Sequence, residues 1–181
     1  MKNIHCLNDE ELQRLWFSLK ESQNQKAANA LRLLLLTGAR RGDVLQATWD
    51  QFDLERGSWA KQNKMELLPL SSQAIKLLRK MKNESRSNFL FPGKAPSGET
   101  PPGGTPSGET PAKSLTGIQK AWATLCERAN LPGIHIYDLR ETYASHLAAS
   151  GVNLSVIGNL LGYSRKSSII PLVPLTFERL K

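Results

Sequence analysis

Residues 33–49 read LLLLTGARRGDVLQATW, from Leu33 to Trp49. The leucine run predicts the end of a buried helix spanning about Lys26 to Leu36, and Thr37-Gly38 breaks it. Arginines follow at once. Arg40 leaves that break with a fixed backbone and with Asp43 close enough in sequence to orient its guanidinium. A planar, permanently charged guanidinium suits a phosphate clamp, and a surface ion pair is the plainer alternative.

Upstream, Asn8 and Glu11 have the form of a capping box, followed by Leu12, Leu15, Trp16 and Leu19 at helical spacing. Downstream, Val44, Leu45 and Ala47 suggest a short helix. Phe52 to Lys61 and Leu67 to Leu70 contain short strand-like runs, with Glu55-Arg56-Gly57 as a turn. Ser71 caps a predicted helix to about Lys82, with Ala74, Leu77, Leu78 and Met81 on one face and Lys76, Arg79 and Lys80 on the other. Leu115 to Ala129 reads as another helix, burying Ile118, Trp122 and Leu125. Asp138 and Glu141 repeat the capping-box pattern, opening a helix that Gly151 closes. Leu139, Tyr143 and Leu147 form its expected buried stripe, with Arg140 projecting from the edge. Asn153 caps a last helix, with Leu154, Ile157, Leu160 and Leu161 inward and Gly162 as its stop. The fold class is α+β, mostly helical, with a small antiparallel sheet early in the chain.

The chain has 181 residues, of which 40% are apolar and 22% charged, as expected of one soluble globular domain. Twenty-four Lys and Arg against sixteen Asp and Glu leave a formal charge of +8, which favours a polyanionic partner, nucleic acid before membrane surface. The charge is patchy: +5 over residues 1–91, zero over 92–113 and +3 over 114–181, with +5 in residues 61–86 alone. Residues 92–113 hold six of ten prolines, five of thirteen glycines and two copies of PSGETP, at 96–101 and 106–111. Without apolar periodicity such a stretch reads as a mobile surface insertion within one domain spanning 1–181. A protein-interaction domain using that insertion as its ligand segment is one alternative.

No apolar run is long enough to span a bilayer. Acidic residues stand where a signal peptide needs an apolar stretch, so export is not expected and a cytoplasmic location is. Cys6 and Cys126 lack Cys-x-x-Cys spacing, and His5, His135 and His146 lack metal-ligand spacing. No disulfide framework or metal site is expected.

Two further places put cations beside turns. Lys61 lies at a strand exit, where a lysine can act as an acid toward a leaving oxygen, with Lys64 competing for that role. In Tyr137-Asp138-Leu139-Arg140-Glu141-Thr142, Arg140 lies in the first turn of a helix, where backbone donors and the dipole favour an anion.

Taken in order, LLLLTGARRGDVLQATW, Lys61 before LLPLS, Phe89-Leu90-Phe91-Pro92 and YDLRETYASHLAASGVNLSVIGNLLGYS (137–164) resemble the catalytic domain of tyrosine recombinases of the phage-integrase family. The resemblance covers roughly residues 8–168 without the insertion. It implies an integrase-type catalytic domain that breaks and rejoins DNA site-specifically through a 3′-phosphotyrosine. Arg40 and Arg140 match the two arginines around the scissile phosphate, and Lys61 matches the hairpin lysine that protonates the leaving 5′ oxygen. Arg165 and Lys166 add DNA-binding charge. The resemblance implies double-stranded DNA as partner and self-association on DNA. It implies no cofactor, no metal, no membrane and no small-molecule substrate. It also implies a separate N-terminal core-binding domain, which is expected to be absent from this chain.

The departures are specific. Tyr137 stands where the family's His-x-x-Arg motif has histidine, and His135 does not replace it by spacing. Tyr163 stands where a later histidine or tryptophan is usual. A phenol donates a hydrogen bond but cannot carry the imidazolium charge. The nucleophilic tyrosine is expected about nine residues further on, at Leu172, and no tyrosine follows Tyr163. Pro171 and Pro174 would interrupt a helix there. These positions predict an impaired recombinase domain. The alternative is a non-catalytic DNA-binding module that uses helices 138–150 and 153–161 as a helix-turn-helix pair.

Overall fold

Asn8 forms the expected reciprocal cap: its side chain accepts from the Glu11 amide, and the Glu11 carboxylate accepts from the Asn8 amide, both at 2.9 Å. That cap starts α1 (Asp9–Lys20), whose Leu12, Leu15 and Leu19 are buried. The computed structural model describes residues 5–61, 67–85, 87–93, 115 and 118–162. Along them follow α2 (Gln25–Thr37), α3 (Arg41–Leu45), β1 (Phe52–Asp53), β2 (Ser58–Ala60), β3 (Leu67–Pro69) and α4 (Ser72–Glu84). The remaining helices are α5 (Ile118–Arg128), α6 (Asp138–Ala149) and α7 (Leu154–Leu161). The mostly helical α+β reading therefore holds, with its small antiparallel sheet early in the chain.

α2 is the axis of the domain. Its first half buries Ala27, Ala28 and Ala30, and its second half buries Leu31 and every residue from Leu33 to Thr37. A stretch buried at every position, as residues 33–37 are, needs neighbours on every side, and α1, α3, α4, α5 and α6 all pack against this helix. Gly38 ends it in the left-handed conformation, φ +60°, its N–H donating to the Leu34 carbonyl at 2.9 Å.

The sheet runs β1-β2-β3, antiparallel throughout. Trp59 pairs with Phe52 on one side and Leu68 on the other, all three buried. The Phe52 and Trp59 rings stack with centroids 5.0 Å apart. Alternation along β2 turns Trp59 inward, and Lys61 leaves at the end of that strand. Next to the sheet, Leu90 donates to the Ala47 carbonyl and Leu115 to the Phe91 carbonyl, each at 2.8 Å. Leu115 thus stands outside α5, which begins at Ile118.

Three local expectations are corrected. Asp138 and Glu141 form no capping box: Tyr137 occupies the N-cap position and its side chain does not cap the helix, and Asp138 instead accepts from the His135 amide at 2.7 Å. The acid caps the preceding turn rather than its own helix. Arg140 does not project from an edge but is buried, because backbone carbonyls from other elements meet its guanidinium. Leu154 faces outward on α7, where Ile157 and Leu161 supply the buried side. The stretch 94–113 of the insertion lies outside the described residues.

Candidate functional site

The site is assembled where three helix ends meet. Gly38 closes α2, Tyr137 opens α6, and Gly162 closes α7 with φ +65°. Gly38 is closely packed as well as left-handed: a Cβ placed there would lie 2.9 Å from Leu161 Cδ2 and against the Tyr143 ring. That close approach lets the Gly38 carbonyl turn toward α6. Thr37 steadies the same bend, its hydroxyl donating to the Leu33 carbonyl at 2.6 Å and accepting from the Ala39 amide at 3.3 Å.

Arg140 fills the space between these ends and is only 5% exposed. Its Nη1 donates to the Gly38 carbonyl at 2.7 Å, and its Nη2 donates to the Leu161 carbonyl. An isolated guanidinium would be expensive to bury, and paired charge-assisted bonds offset that cost. Arg40, exposed just past Gly38, sends its Nη2 to the neighbouring carbonyl of Gly162 at 3.3 Å. Two arginines a hundred positions apart thus converge on consecutive carbonyls at the end of α7. The pair expected from the sequence is brought together.

Lys61 joins the same face through Asp43. Its Nζ lies 3.9 Å from Asp43 Oδ2 on α3, three residues after Arg40, and 5.9 Å from the Trp59 ring centroid. The Lys61 side chain is 10% exposed, so this lysine is held between a carboxylate and an indole face. Asp43 therefore faces the hairpin lysine instead of forming a pair with Arg40. Arg41 turns the other way, to Gln119 Oε1 at 3.2 Å.

Tyr137 stands at the mouth of α6 with 55% of its surface exposed. Tyr143, one turn inside, is half-buried, and burial pushes its phenol above the usual tyrosine range. Lys64, Tyr163, Arg165, Lys166 and Leu172 lie outside the described residues.

The Gly38, Leu161 and Gly162 partners of the two guanidiniums are backbone carbonyls, which motif reading does not see. Gly38 and Gly162 were their nearest signal, since a left-handed glycine after a helix redirects the last carbonyls. Among the described residues, no group of three or more His, Cys, Asp or Glu side chains could hold a metal. No described helix is long and apolar enough to cross a membrane.

The sequence model of the phage integrase family matches residues 5–171. The chain belongs to that family. Prophage integrase IntF of Escherichia coli (strain K12) is 30% identical over 142 residues, covering 70% of this chain and 30% of the relative. Among solved structures, the Tn1549 transposon integrase in complex with circular intermediate DNA superposes with a TM-score of 0.74 at 15% identity. That match covers 98% of this chain and 65% of the other. The catalytic domain of bacteriophage HP1 integrase gives 0.62 at 20% identity, covering 92% and 85%. This member of the family spans 30% to 48% of the length of the curated relatives it matches.

Proposed function

We propose that the chain is a recombinase catalytic domain that grips a phosphodiester of duplex DNA between Arg40 and Arg140. The observation that carries this reading is the convergence of both guanidiniums on the end of α7, with Lys61 tethered beside them through Asp43. Two fixed cations around one phosphate would neutralise charge building on a pentacoordinate phosphorus. In the same reading Lys61 is the acid for the leaving 5′ oxygen, with Lys64 as reserve. Tyr137 and Tyr163 donate hydrogen bonds from the positions where histidines are usual. The family membership and the DNA-bound Tn1549 integrase support DNA as the partner, and the same reading has copies of the chain associating on it.

The covalent step is the part we propose to be impaired. Leu172 stands at the position expected for the nucleophile, and no tyrosine follows Tyr163. The domain then binds DNA through phosphates without forming a 3′-phosphotyrosine of its own. The helix-turn-helix alternative is less well supported, because α6 buries eight of its twelve residues and leaves little face for a groove.

Incubation with a nicked suicide duplex, followed by a denaturing gel, tests the catalytic half. No covalent band is expected; a band lost in Tyr163→Phe would show that Tyr163 has taken over as nucleophile. Binding to a short duplex at two salt concentrations tests the other half. Affinity should fall steeply with salt, and salt-independent binding would remove the phosphate reading.

A further inference from the structure

Arg140 is almost fully buried, although the reading above gives it a phosphate to hold. Its Nη1 is taken by the Gly38 carbonyl at the end of α2, and its Nη2 by the end of α7. The carbonyls of Leu161 and Gly162 take bonds from Arg140 and Arg40. Carbonyls of the last helical turn lack intrahelical partners and carry the negative end of the helix dipole. To two guanidiniums they offer what a phosphate offers, adjacent acceptor oxygens with negative character.

α7 is also weakly anchored. Its buried Ile157 and Leu161 form a small cluster with Ala144, separate from the main core, and half-buried Leu160 reaches that core. The link from α6 contains Gly151, left-handed at φ +84° with open space around its Cα. A short helix on a minor cluster, joined through a glycine, can change its angle without unpacking α2.

We infer that α7 is a hinged plug: its terminal carbonyls occupy Arg40 and Arg140 in place of a phosphate, and duplex DNA binds once α7 swings away. The inference rests on the proposed role of the two arginines as phosphate ligands. The apparent affinity for DNA then equals the intrinsic affinity multiplied by the fraction of chains with α7 open. Weakening the closed helix should therefore tighten binding. Asn153 is the place to do so, since its Oδ1 caps the first turn of α7, accepting from Ser155 at 2.8 Å, at the opposite end from the carbonyls.

The test is fluorescence anisotropy with a labelled short duplex, comparing the unmodified chain, Asn153→Ala and the double variant Arg40→Ala/Arg140→Ala. Loss of the cap should tighten binding by as much as about fivefold, and loss of both arginines should weaken it. Unchanged or weaker binding by Asn153→Ala, with binding lost in the arginine variant, overturns the plug and keeps the clamp. Undiminished binding by the arginine variant overturns the clamp, and the plug with it. Hydrogen exchange on the unmodified chain supplies an arm independent of any substitution. Residues 154–162 should exchange faster with duplex bound, and equal or slower exchange overturns the plug.

Discussion

The carbonyl of Gly38 accepts a 2.7 Å hydrogen bond from Nη1 of Arg140 across 102 positions of sequence. This bond ties the end of the central helix to the helix that carries the second arginine. The αL turn at Gly38 both releases Arg40 and fixes Arg140, so one backbone conformation sets both cations.

Gly38→Ala should therefore be severe. The new methyl would meet Tyr143 and Leu161 in a backbone conformation that already disfavours alanine. Strain and overpacking together predict a loss of roughly 2–4 kcal/mol in urea unfolding. A loss well under 1 kcal/mol would show that α6 and α7 yield easily at this contact.

Arg140→Lys keeps the charge and should still fail to replace the native residue. An ammonium on a flexible stem lacks the planar fork that reaches Gly38 and Leu161 together. Stability should fall by roughly 1–3 kcal/mol as a buried carbonyl loses its donor. Urea midpoints of the unmodified and Lys forms, compared at one pH, measure it.

His146 gives the domain an acid sensitivity. Burial lowers its pKa to about 4, a shift that nearby Asp9 partly opposes. Because the unfolded chain binds the proton more readily, this contribution is complete above the ordinary histidine value of about 6.5 and fades as pH falls toward 4. The full swing is roughly 3 kcal/mol. His146→Leu should flatten the fall in melting temperature between pH 6.5 and 4; an equally steep fall would assign the sensitivity elsewhere.

Cys126 should be chemically quiet. Burial, with a further push from the Asp138 carboxylate, raises its thiol to about 11, leaving very little thiolate at neutral pH. Thiol titration with a chromogenic disulfide should find this cysteine only after denaturant is added. Rapid labelling of Cys126 in the native protein would contradict the packing of α5 against α1 and α2.

Those expectations also mark how far the sequence was readable. The Asn8–Glu11 cap, the apolar α2 and the glycine stops at 38 and 162 are local patterns, and all were legible. The surroundings of α6 were not. Two of its buried polar residues are bonded from far along the chain: Thr142 accepts from the Leu7 amide at 3.1 Å, and Arg140 donates to Gly38 and Leu161. Helical periodicity ranks residues by apolarity and so placed Arg140 at an edge. The Asp138–Glu141 spacing matched a capping box, but the turn at His135 offered the acid a nearer donor. Of the candidate site, the identities of the two arginines and Lys61 were legible, and the carbonyls that hold them were not.

The enclosure of α2 by five other helices has a consequence for how the chain comes apart. One half of its coat comes from residues before the proline-rich stretch, and α5 and α6 after that stretch complete it. Neither part owns a full interior, so the two should behave as complementary fragments. Residues 1–93 and 115–181, produced separately and mixed, should regain helical circular dichroism and melt as a single species.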